Sequence, residues 1–90
     1  MIKIALVQII RDGNKPPQEY STWKDWWEQK KGRNFYICSN RLCNRDAEVG
    51  AVVRKLADGN GKLYVAPLCQ PCYEITHSFH IQDPNMVALE

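Results

Sequence analysis

Residues 64–80 read YVAPLCQPCYEITHSFH, a stretch that places Cys69, Cys72, His77 and His80 within twelve positions. A strand-like run, KLYVAPL, delivers two thiols into the start of a short helical stretch, QPCYEITHS. Paired cysteines of this kind serve a structural metal, a redox couple or a disulfide framework. The other two cysteines of the chain decide among them.

The full pattern is Cys38-x4-Cys43, a gap of 25 residues, then Cys69-x2-Cys72. Two close pairs separated by enough chain for a hairpin suit a tetrahedral zinc site. Each pair turns two sulfurs toward one ion at about 2.3 Å, and the hairpin brings the pairs together. Ser39, Asn40 and Asn44 help the first loop to turn. The second pair gains from the partial positive charge at a helix start. Four thiolates close the shell, so the expected role is one structural Zn2+ held by Cys38, Cys43, Cys69 and Cys72.

Cys69-Gln-Pro-Cys72 also has the form of a thioredoxin-like redox motif. Such a motif lies early in its domain, whereas only 18 residues follow Cys72 here, and it leaves Cys38 and Cys43 without a role. A disulfide framework needs an oxidising compartment, which no export signal supports. His77 and His80 read as ordinary residues at a helix end and a strand start, with replacement of a thiol ligand or a second site as the alternatives.

The ninety residues are expected to form one domain, 1–90, with a zinc core over about 36–76 and a strand and helix within 1–35. A chain this short buries a marginal core, which a metal or partner often supplements. Residues 2–10 read as a buried strand, closed off by RDGNKPP. In STWKDWWEQKKG, Thr22 and Asp25 make a capping-box-like start and Gly32 a stop, so a helix of about nine residues is expected. Trp23, Trp26 and Trp27 then share one face, read as core, with a base-stacking platform as the alternative. NFYIC reads as a short strand entering the first cysteine loop. AEVGAVVRKL and KLYVAPL form a hairpin across ADGNG, with Gly50 marking a bulge or close approach. FHIQD and NMVAL close the fold, which is therefore α+β.

All twelve Lys and Arg residues lie between Lys3 and Lys62, where seven acidic residues leave a net +5; residues 63–90 hold Glu74, Asp83 and Glu90 alone, −3. A site of four thiolates and one divalent ion adds −2, bringing the holo chain near neutrality. Strong long-range steering toward nucleic acid is not expected. Lys30, Lys31, Arg33, Arg41, Arg45 and Arg54, with Lys55 and Lys62, still offer a basic side for phosphate, and Asn40 and Asn44 offer base contacts. A solvated surface, or a protein partner adding a strand to the hairpin edge or to FHIQD, is the competing reading. MIKIALVQII carries a lysine and lacks a cleavage pattern, and no window is long enough for a membrane span, so the expected location is cytoplasmic.

The order cysteine loop, hairpin, cysteine pair at a helix start resembles a treble-clef zinc finger. Within that class, GAVV (50–53) followed by LYVAPLCQPCY (63–73) resembles the zinc core of HNH-endonuclease-like proteins, over about residues 36–76. That family carries a histidine on the first hairpin strand and an asparagine after the second cysteine pair. Val52 and Tyr73 stand at those positions here, and valine cannot take a proton. The resemblance therefore implies a retained zinc scaffold without its general base: a non-enzymatic binding module, with a metal-dependent nuclease of degenerate site as the alternative.

Overall fold

The computed structural model describes residues 4–10, 16, 19–40, 43, 45–56, 62–82 and 85–89. Along the chain run β1 (Ile4–Ile9), α1 (Trp23–Lys31), β2 (Val49–Lys55), β3 (Leu63–Leu68), α2 (Gln70–Tyr73), β4 (Phe79–Gln82) and β5 (Val87–Ala88). The five strands form one antiparallel sheet in the order β4-β1-β2-β3-β5. The radius of gyration is 11.9 Å, against about 12 Å for a compact folded chain of this length. Among the described residues no helix is long and apolar enough to cross a membrane.

Strand alternation divides the core in two, because successive side chains point to opposite faces. On one face Val7, Ile9, Ala51, Val53, Ala66, Leu68, Phe79 and Ile81 pack together with Cys38, Cys69 and Cys72. On the other, Val52 and Val65 meet Trp26 and Trp27 of α1. The cysteines thus belong to one half of the interior and the tryptophans to the other.

Helix α1 has the caps its sequence calls for. The Thr22 side chain accepts a hydrogen bond from the Asp25 backbone N–H at 3.1 Å. Gly32 adopts a left-handed conformation, φ 77°, and its N–H closes on the Glu28 carbonyl, a geometry that costs glycine little. Trp26 and Trp27 are buried, while Trp23 is half-buried and meets Trp26 edge-on at 5.4 Å. The core reading of the tryptophan face is the observed one.

Gly50 lets this helix sit down on β2. A Cβ there would lie 2.7 Å from the Trp23 carbonyl carbon and 2.8 Å from the Lys24 nitrogen, closer than packed atoms approach. The close approach expected at Gly50 is therefore between sheet and helix.

Two local expectations are corrected. NFYIC is not a strand: one bridge, Ile37 with Asp46, is its whole ladder in this segment. The helical stretch is four residues long, since Glu74 turns back onto the Pro71 and Cys72 carbonyls instead of continuing. Both hairpin strands have neighbours over part of their length. β2 pairs with β1, and β3 with β5. Strand β4 lies at the end of the sheet order, yet Asn40 bridges Ile81, and the Gln82 N–H donates to the Ser39 carbonyl at 3.0 Å. The ADGNG turn falls at residues 57–61, outside the described residues except as the joint between β2 and β3.

Ser39 links β3 to β4. Its N–H donates to the Pro67 carbonyl of β3 at 2.8 Å while its carbonyl accepts from β4. Hydrogen bonds therefore run in a closed ring from β4 through β1, β2 and β3 and back across residue 39. The link covers part of the facing edges of β3 and β4, while β5 remains the outer strand beyond β3. Pro67 suits its place: it lies beyond the residues of β3 that pair with β5, Tyr64 and Val65, where a backbone N–H would have no strand to serve.

Candidate metal centre

Two elements deliver the four thiols. Around the first pair, the Cys43 N–H donates to the Asn40 carbonyl at 3.0 Å and the Cys38 N–H to the Arg45 carbonyl at 2.8 Å. Cys69 is the N-cap of α2, so Cys72 rides on the first helical turn and faces the same space. The Glu48 carboxylate accepts from the Gln70 N–H at 3.0 Å and fixes the start of that helix against the segment entering β2.

The four Sγ atoms lie within 4.8 Å of one another. The Cys43 and Cys69 sulfurs are 3.6 Å apart, and all four cysteines are free thiols. A disulfide would need about 2.05 Å. A tetrahedron with zinc–sulfur bonds of about 2.3 Å has sulfurs about 3.8 Å apart. The cluster has that size, and all four residues expected as ligands are in it.

The surroundings match thiolate ligands. Cys38, Cys69 and Cys72 are buried and Cys43 is half-buried, in a shell that includes Leu68, Phe79, Ile81 and Met86. Burial pushes the Cys38 thiol up to about 11, against the pull of the Cys69 and Asn40 backbone N–H groups. Burial also raises Cys72, helped by the neighbouring sulfurs of Cys69 and Cys38. Cys43 is lowered, chiefly by the Arg45 backbone N–H. The Asn40 amide donates to the Cys72 sulfur at 3.4 Å. Donors are thus in place for negative sulfur, but burial resists bare thiolates. A divalent cation resolves that conflict by neutralising the charge that burial penalises. Zinc fits on charge, size and softness.

The histidines stand outside the sulfur cluster. His77 is exposed and its Nδ1 lies 2.8 Å from the Ser78 carbonyl; His80 is exposed on β4. Val52 is 4% exposed, beneath Trp26 and Trp27 on the face opposite the thiols. Tyr73 packs half-buried against the cysteine-side core. Of the basic residues, Lys30, Arg33, Arg45, Arg54 and Lys62 are exposed, Lys31 and Lys55 half-buried. Arg45 belongs to the cysteine loop, whereas Arg54 and Lys55 close β2 at its far end, so these cations do not adjoin. Arg41 and Asn44 lie outside the described residues.

One element was not legible in the sequence. Ser39 is fully buried, and its hydroxyl has no hydrogen-bond partner among the described residues. Its position beside Cys38 hinted at a turn, not at a link between β3 and β4. No protein family, no curated protein and no solved structure matches the chain.

Proposed function

We propose that the chain is a zinc-stabilised, non-enzymatic binding module of treble-clef type, and that its partner is single-stranded nucleic acid. The observation that carries the reading is the gathering of four sulfurs within 4.8 Å from a loop and a helix start that are distant in sequence. Cysteine loop, β2–β3 hairpin and α2 follow one another as in a treble clef. A closed shell of four thiolates leaves no position for water or substrate, so the ion supports the fold. A reducing, cytoplasmic setting goes with it, because the thiols must stay reduced to bind metal.

The nuclease and redox alternatives are weaker. At Val52 there is neither a base nor room for one, since α1 covers it. Cys69 and Cys72 share their space with two further thiols, unlike an isolated redox pair. The cations at Lys30, Arg33 and Arg45 favour phosphate as the partner's charged group.

The test is anisotropy of a labelled single-stranded oligonucleotide titrated with zinc-loaded protein over a salt series. Affinity falls steeply with salt, and Lys30→Ala/Lys31→Ala flattens the slope by about 0.7 per lost phosphate contact. No binding at low salt rules out nucleic acid and leaves a protein partner.

A further inference from the structure

A pocket of about 240 Å³ opens where α1, the segment after it and the link between β3 and β4 meet. It is too small for a drug-sized ligand, whose sites run to about 300–1,000 Å³. One ring system is the natural occupant. Trp27, Tyr36 and Pro67 supply flat or rigid apolar walls, and Arg33, Gln82 and Asn85 supply polar groups.

These groups are already ordered. The Trp27 Nε1–H donates to the Asn85 carbonyl at 2.8 Å, and the Arg33 guanidinium lies 5.3 Å over the Trp27 ring. The same guanidinium donates to Asn85 Oδ1 at 3.4 Å. Arg33 has five N–H donors, so this bond leaves it donors for an anion. Tyr36 presents its ring to solvent, 72% exposed, beside the exposed Ile37.

We propose that this pocket takes one unpaired base of a single-stranded nucleic acid. The Tyr36 ring stacks on the base, the amides of Gln82 and Asn85 meet its polar edge, and Arg33 takes the adjoining phosphate. A planar ring, a hydrogen-bonding edge and a nearby anion occur together in a nucleotide, and each has its counterpart here. The inference rests on the nucleic-acid reading above and deepens it.

The pocket also depends on the metal centre. Pro67 and Gln82 are held together by the backbone of Ser39, the residue after the thiol Cys38. Organising the sulfurs therefore organises the pocket.

The experiment compares zinc-loaded wild type and Tyr36→Ala for binding of a labelled oligothymidylate and of an abasic oligomer of equal length. Tyr36 is so exposed that its truncation leaves the core untouched. Wild type is expected to bind the base-bearing strand about 5- to 150-fold more tightly than the abasic one, the range of one base–aromatic stack. Tyr36→Ala is expected to remove that preference and leave abasic binding and its salt slope unchanged. Equal affinity of wild type for both strands, or an undiminished preference in Tyr36→Ala, overturns the base pocket but spares the nucleic-acid reading. Failure of both strands to bind at low salt overturns both, and capture of an aromatic peptide side chain in the pocket becomes the surviving explanation.

Discussion

The sulfur of Cys43 lies 3.6 Å from that of Cys69, although the two are 26 positions apart in sequence. Between them runs the β2–β3 hairpin, which reverses the chain and returns it beside the cysteine loop. The contact is long-range, so each thiol is held by an element that the other's element must find during folding. A metal shared by both would join them.

Replacing one of these thiols removes a ligand and leaves the others buried without their ion. Structural zinc contributes on the order of 10 kcal/mol to small folds, comparable with the whole stability of a domain. Cys69→Ser is therefore expected to unfold the protein, with loss of the dispersed amide spectrum and of bound metal. A folded, metal-free Cys69→Ser protein would sink the four-thiol assignment.

Ser39→Ala, at the neighbour of another of these cysteines, is expected to behave in the opposite way. Its hydroxyl is buried and unpartnered among the described residues, and its structural bonds are made by the backbone. Deleting an unsatisfied buried hydroxyl is nearly neutral or gains up to about 1 kcal/mol. A loss of about 2 kcal/mol or more in chemical denaturation would show that the hydroxyl has a partner in solution.

The response to pH differs in sign between the metal-free and metal-bound states. Burial raises the Cys38 thiol to about 11 and Cys72 as well. For the metal-free fold this stability is fully present below the ordinary thiol value of 9.0 and lost as pH rises through about 11. Cys43, lowered by the Arg45 N–H, opposes it: its share is present above that value and lost as pH falls through its lowered pKa. Zinc binding releases thiol protons, so apparent affinity rises with pH by about tenfold per unit for each thiol still protonated. Chelator competition at mildly acidic and mildly alkaline pH reads this directly, and an affinity flat with pH contradicts thiol ligation.

Gly50→Ala tests the approach of helix to sheet. The new Cβ would meet backbone atoms of Trp23 and Lys24, which cannot swing aside as a flexible side chain would. Helix α1 must lift, loosening Trp26 and Trp27 over Val52 and Val65. The expected cost is about 1–3 kcal/mol, with stronger quenching of tryptophan fluorescence by acrylamide. An unchanged melting curve would mean that α1 does not pack on β2 as described.

Val52→His introduces the residue type that the HNH-like resemblance would place there, but not its setting. Val52 is covered by α1, and placing an imidazole there costs about 1–3 kcal/mol. Neither wild type nor Val52→His is expected to cleave plasmid or RNA with Mg2+ or Mn2+. Cleavage abolished by His77→Ala or His80→Ala would instead make the chain a nuclease whose base lies away from the hairpin.

Much of this was legible locally. Thr22, Asp25 and Gly32 mark α1 because caps are satisfied by near neighbours, and the thiol pairs announce themselves by spacing. What could not be read depends on distant contacts. A buried Ser39 goes against its polarity, and only the positions of Pro67 and Gln82 explain it. The short α2 runs against a longer helical pattern because Glu74 turns back after one turn. Likewise, nothing in the local sequence of Asn85 places it against Trp27, 58 residues away.

The most direct measurement is native mass spectrometry of the protein as purified, with and without a chelator, read beside its circular dichroism. The account predicts one zinc per chain, removed by the chelator together with the fold. A metal-free mass lighter by two or four protons, in a protein that stays folded, would show one or two disulfides and contradict the metal centre.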